Sequence, residues 1–252
     1  MNRIGVFVYG AISYAIFFVT FLYAVGFVGN FIVPKSIDSS PEGPLGQALL
    51  IDALLLGLFA VQHSVMARPA FKRWWTQFVP KPIERSTYVL FASLLLIALY
   101  AYWQPIGGVV WNVQDPAAQI VLYGLCAFGW GLVLVATFLI NHFDLFGLRQ
   151  VWLYARGKEY RPLPFGTPAV YRFVRHPLYV GFLIAFWATP TMTAAHLFFA
   201  VMTTAYILIA IRFEEHDLVA EHGARYAEYR NQVPMLVPRL GRRTSGTGTE
   251  SA

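Results

Sequence analysis

Four stretches of this chain run without a charged residue, at 4–34, 86–114, 116–143 and 177–211, and a fifth, 45–67, holds one acid, Asp52. About 20 apolar residues in a helix cross the roughly 30 Å hydrocarbon core of a bilayer, so each run is long enough to span a membrane. The run at 177–211 has 35 residues, long for one crossing. Its middle reads ATPTMTAAH, and Pro190 breaks a helix by removing an N–H and crowding the preceding turn. Two short helices in a hairpin follow, near 177–189 and 192–213. The expected fold is all-α: a polytopic membrane bundle of about six helices ending in that hairpin.

Composition agrees. The 252 residues are 57% hydrophobic, 17% aromatic and 13% charged, against about one quarter charged in soluble domains. The single cysteine, Cys126, excludes an intrachain disulfide and any CxxC pattern, and packing is its simplest role. No small-residue cleavage site follows the first apolar run, so that run is read as a retained span. One membrane domain is expected over 1–240, with a polar, disordered tail at 241–252.

Charge placement fixes the orientation. With the N-terminus inside, all of the 19 basic residues except Lys35 fall on the cytoplasmic side, as the positive-inside rule requires. The net charge of +6 is therefore topology, and nucleic-acid binding loses its support. A five-span chain would send the C-terminal arginines outside. The outer segments 35–44 and 104–116 read as turns, with Trp103 and Trp111 suited to an interfacial belt. Asp52 lies about two turns inside the second span, where it reaches outer-leaflet water and is read as structural.

Three cytoplasmic constellations carry chemistry. In RHPLYVG, Pro177 suits the first turn of a helix, which leaves Arg175 and His176 at an N-terminus whose amides favour an anion. Tyr179 points from that first turn, and Gly181 allows close backbone approach. In RFEEHDLVAEHGARYAEYRNQVP, Glu214 and Glu215 are adjacent, so at most one faces the bundle squarely. One suits ribose hydroxyls or a cation; the other suits Arg175 or Arg212. Tyr226 and Tyr229 share a helix face and form an aromatic lid fit for a planar or cationic ligand. In NHFDLFGLRQVW, His142 sits two residues from Asp144, with Arg149 and Gln150 following. Plainer readings stand beside each: a snorkelling basic flank, counter-ions for the arginines, a polar interfacial turn. No HxxxH or HExxH spacing supports a metal.

Together these pieces resemble the integral-membrane methyltransferases related to isoprenylcysteine carboxyl methyltransferase and the phospholipid N-methyltransferases. With VQHSVMARPAFKRWW upstream, NHFDLFGLRQVW is similar to the nurim/NnrU branch, and within it to the bacterial methanethiol S-methyltransferases. The middle region departs from the prenyl-cysteine enzymes, which argues against a lipidated peptide as substrate. The resemblance implies S-adenosyl-L-methionine as cofactor, with Arg175 and His176 on its methionine carboxylate. It also implies that Tyr179, Gly181, Glu214 and Glu215 complete the pocket under the Tyr226 and Tyr229 lid.

The expected reaction is methylation of a small thiol, methanethiol to dimethyl sulfide, in a bacterial inner membrane with the site cytoplasmic. A thiolate is the nucleophile, and thiols near a pKa of about 8.5 supply little of it at neutral pH. His142, ordered by Asp144, is the expected base, and Arg149 or Arg175 supplies a positive field. The expected partners are the thiol and membrane lipid, with no metal and no nucleic acid. The alternatives are methylation of a lipid or prenylated acceptor, a non-catalytic nurim/NnrU-like protein, and a proton-coupled transporter. The last has too few ionisable groups in its spans.

Overall fold

The structure is a computed structural model that describes residues 2–39 and 43–238; the tail at 241–252 lies outside the described residues. Among the described residues, five helices are long and apolar enough to cross a membrane: α1 (Arg3–Gly29), α2 (Leu45–Ala67), α4 (Lys81–Tyr102), α5 (Pro116–Leu139) and α9 (Ala194–His222). Between them lie α3 (Pro69–Trp75), β1 (Val109–Asn112), α6 (His142–Leu145), α7 (Leu148–Ala155), α8 (Pro177–Trp187) and β2 (Thr191–Thr193), and α10 (Ala224–Gln232) follows α9. The helix ends follow local chemistry. Asn2, Asp115 and Thr193 cap α1, α5 and α9 by accepting amide hydrogen bonds from Ile4, Ala118 and His196, which satisfies N–H groups the helix leaves unpaired.

The C-terminal hairpin is lopsided. α8 has 11 residues, and at about 1.5 Å each it covers roughly half of the hydrocarbon core. Pro190 ends it early, and a turn at 188–190 followed by the extended β2 completes the passage. Irregular backbone survives at such depth only when shielded by protein. Here β2 pairs antiparallel with β1, Val109 opposite Thr193 and Asn112 opposite Thr191, and Ala188, Pro190 and Met192 are buried. The outer segment read as a turn is therefore half of a small sheet. α9 has 29 residues and runs past the expected boundary, so its last turns stand beyond the apolar zone.

α8 packs on α5 at backbone distance. A Cβ added to Gly181 would sit 2.7 Å from the Gly129 carbonyl oxygen, and one added to Gly129 would sit 2.7 Å from the Gly181 oxygen. Small residues permit such approach where lipid offers no hydrophobic drive. Gly181, expected to face a cofactor, is turned into this interface instead.

The half of the bundle nearer the small sheet holds the main core: Phe27, Leu99, Tyr100, Trp103, Trp130, Phe186 and Phe199. Trp103 is fully buried and gives its indole N–H to the Ile37 carbonyl at 3.1 Å, so it is core and not interfacial belt. Trp111 remains partly exposed. Asp52 is also fully buried and does not reach water; its Oδ1 accepts the Gln104 amide at 2.8 Å and pins the end of α4.

The short helices lie at the basic end. α7 inserts along α1, with Val151 fully buried against Gly10. The Arg85 guanidinium donates to the Leu145 carbonyl at 2.7 Å, which ties α4 to α6.

Candidate active site

Two strands of irregular chain meet at the start of α8. The Arg175 amide donates to the Pro234 carbonyl at 2.9 Å and the His176 amide to Met235 at 3.2 Å, so residues after α10 clip onto the RHP segment. Pro177, lacking an N–H, opens α8 at no cost.

Side chains complete the clip. Arg175 Nε and Nη2 both lie 2.7 Å from Glu215 Oε1, and Nη1 donates to the carbonyls of Arg230 and Val233. His176 Nε2 is 3.0 Å from the same Glu215 oxygen. Arg175 and His176 were expected to hold a carboxylate of the cofactor; that carboxylate role is filled from within by Glu215. The two adjacent acids therefore divide. Glu215 is enclosed, with its side chain 13% exposed, whereas Glu214 is 41% exposed and accepts the Tyr179 hydroxyl at 2.9 Å. Its Oε2 lies 3.9 Å from His176 Nδ1.

α10 folds over this pair. Tyr226 and Tyr229 meet edge to face at 5.8 Å, and each packs at 5.6 Å on Phe165. Tyr229 gives its hydroxyl to the Tyr171 carbonyl at 2.6 Å, and burial pushes its pKa up to about 12. Tyr226 is buried, its hydroxyl has no hydrogen-bond partner, and burial followed by the nearby Glu215 charge raises its pKa. An unpartnered buried hydroxyl costs free energy. Phe165 was not legible as a site residue, because its loop carries no motif.

The middle motif does not join this pocket as expected. His142 is buried, and its ring is stacked on Phe138 at 4.3 Å. Nε2 lies 2.9 Å from the Tyr14 hydroxyl and Nδ1 lies 2.8 Å from Thr137 Oγ1. Burial lowers its pKa. Asp144 does not order it: the Asp144 carboxylate takes Arg149 at 2.8 Å and Tyr160 at 3.3 Å. Asp144 and Gln150 line a separate open cavity of about 800 Å³ with Lys72, Lys81, Arg85 and Tyr160.

A further polar group occupies the gap between α2, α4 and α9. The Tyr88 hydroxyl is 3.0 Å from both ring nitrogens of His63, and Ser64 Oγ is 3.2 Å from the Tyr206 hydroxyl. Among the described residues, no three His, Cys, Asp or Glu side chains gather to hold a metal ion.

The chain is 59% identical over 244 residues to methanethiol S-methyltransferase of Crocosphaera subtropica, covering 97% of this chain and 96% of that protein. It is 54% identical over 238 residues to methanethiol S-methyltransferase of Mycobacterium tuberculosis, covering 94% and 98%. The chain belongs to the methanethiol S-methyltransferase family. Membership makes it an enzyme, a methyltransferase, and its five apolar helices make it an integral membrane protein. The family's wider kinship also appears: nurim of Bos taurus is 31% identical over 179 residues, covering 68% of each chain. No family model matches the chain, and neither does any solved structure.

Proposed function

We propose that this chain methylates methanethiol with S-adenosyl-L-methionine, giving dimethyl sulfide, at the cytoplasmic end of a bundle in the bacterial inner membrane. The reading rests on identity along nearly the whole of both chains to proteins named for that reaction. The side chains fit it. When bound, S-adenosyl-L-methionine supplies an electrophilic methyl group on a sulfonium. Glu214 offers a carboxylate to its ammonium or ribose hydroxyls, Tyr226 offers an unpartnered phenol, and Phe165, Tyr226 and Tyr229 offer aromatic faces to a cation.

Arg175, His176 and Glu215 hold the walls in register, so that donor and acceptor meet in line without reorganisation. His142, with both nitrogens engaged, joins α1 to α5 and α6 in the same scaffold. The cytoplasmic assignment follows from the basic residues at this end of the bundle.

Binding tests the reading directly. In detergent or nanodiscs, S-adenosylhomocysteine should bind the parent. A hydrogen bond to a charged group contributes about 1.5–3 kcal/mol, so Glu214→Gln should weaken it roughly 10- to 100-fold. A parent that does not bind, or a variant that binds equally well, would overturn the assignment.

A further inference from the structure

We propose that the cavity between the α3–α4 junction and α6–α7 binds a phosphate ester, and that a phospholipid of the surrounding bilayer supplies it. None of the side chains associated above with the methyl donor lines this cavity, so the site is separate from the transfer chemistry.

Charge selects the ligand. Lys72, Arg73, Lys81, Arg85 and Lys158 line a space of about 800 Å³, within the range of about 300–1,000 Å³ that small-molecule sites occupy. Among the described residues, none of these five cations is held in an ion pair. The lining has three carboxylates, and two are engaged by arginines outside it: Asp144 holds Arg149 at 2.8 Å, and Glu159 lies 3.6 Å from Arg161. Glu84 carries the third. The cavity therefore gathers an excess of positive charge from α3, the start of α4 and the chain after α7. Burial, and after it the Arg85 charge, hold the Lys72 ammonium below its usual range, and an anion beside them relieves that crowding.

Arg85 is oriented for an oxyanion. Its Nε donates to the Leu145 carbonyl at 2.7 Å, and its guanidinium carbon lies over the Tyr88 ring at 4.9 Å. Those contacts fix the plane and leave Nη1 and Nη2 as a fork, the geometry that meets two phosphate oxygens at once.

Depth selects the source. Lys81 is the first residue of α4, and Ile140 closes the end of α5, so the cavity stands where two spans leave the hydrocarbon. Ile140 lines it and is exposed. Trp74 and Phe78, exposed on the segment that carries Lys72 and Arg73, add apolar surface. A phospholipid sets its headgroup among the cations and its chains along these faces, whereas a soluble phosphate leaves the faces bare. Basic pockets at the cytoplasmic ends of transmembrane helices take anionic headgroups in this way.

The test is native mass spectrometry of the protein released from micelles holding equal amounts of phosphatidylglycerol and phosphatidylcholine. The parent should retain phosphatidylglycerol in preference. A cation near a lipid phosphate is worth roughly fivefold in affinity, so Lys72→Gln/Lys81→Gln should lower that retention roughly 25-fold. Arg156→Gln/Arg172→Gln removes two exposed cations that lie outside the lining and should retain the lipid as the parent does. Should the cavity variant not be monodisperse, Lys81→Gln alone, on an exposed side chain, should show a roughly fivefold loss. Inorganic phosphate added to the parent in phosphatidylcholine nanodiscs should leave thermal unfolding unmoved. Equal retention of the two lipids by the parent, or a cavity variant no weaker than the control variant, would overturn the inference. Stabilisation by inorganic phosphate in the absence of lipid selection would assign the cavity to a soluble ester and refute the bilayer as its source.

Discussion

Glu214 and Glu215 differ in one hydrogen-bonding environment and therefore in kind. Glu215 balances the Arg175 guanidinium, whose side chain is only 9% exposed. Removing one member of a buried pair leaves the other charge uncompensated, at about 3–5 kcal/mol. Glu215→Gln should accordingly lower stability by about 3 kcal/mol, read as thermal unfolding in detergent, whereas Glu214→Gln should change it by less than about 1 kcal/mol. Equal losses would mean that the two acids share one structural role. His142 adds a pH dependence. Burial lowers its pKa in the folded protein, so below the unfolded value of about 6.5 the unfolded chain binds more protons. Its contribution is intact above that value and is lost as the pH falls through the folded pKa. Unfolding between pH 7.5 and 5.5 should show a steeper loss in the parent than in His142→Asn; parallel curves would place the proton-linked group elsewhere.

At the scale of elements, the contact of α5 with α8 is the test case. A methyl group on Gly181 meets the Gly129 carbonyl and the Val133 amide nitrogen, which are backbone and cannot rotate away. Overpacking costs typically 1–3 kcal/mol, so Gly181→Ala should destabilise by about that much. Gly131→Ala, on α5 with nothing within 4 Å, should be neutral. The long helices were legible because an uncharged run of 20 or more residues has few alternatives in a bilayer. α8 was legible as a helix but not in its length: Pro190 marks a break, and nothing local says that β1 waits to receive the backbone beyond it. Trp103 looked interfacial by position, while its burial depends on Phe27 and Phe199, distant in sequence. His142 and Asp144 illustrate the same limit at the site. Closeness in sequence suggested a pair, yet the left-handed turn at Asn141 (φ 82°) and the nearby Arg149 send the two side chains apart. The contacts of His63 with Tyr88 and of Ser64 with Tyr206 were likewise hidden in VQHSVMARPAFKRWW, because the partners come from other helices.

Across the described residues, one end of the bundle carries most of the charge and the candidate site, and the other carries the apolar core and the small sheet. The basic residues predict which end faces the cytoplasm. In a Cys126→Ala background, Val110→Cys on β1 should react with a membrane-impermeant maleimide in intact cells, and Arg161→Cys only after lysis. The reverse pattern would invert the bundle. The central claim is that the pocket around Glu214 serves methyl transfer to a thiol. The most direct measurement gives membranes containing the protein S-adenosyl-L-methionine and methanethiol and assays the headspace for dimethyl sulfide. The account predicts product from the parent and at least tenfold less from an equal amount of Glu214→Gln at limiting donor. No product from a parent that binds the donor, or equal product from both, would contradict it.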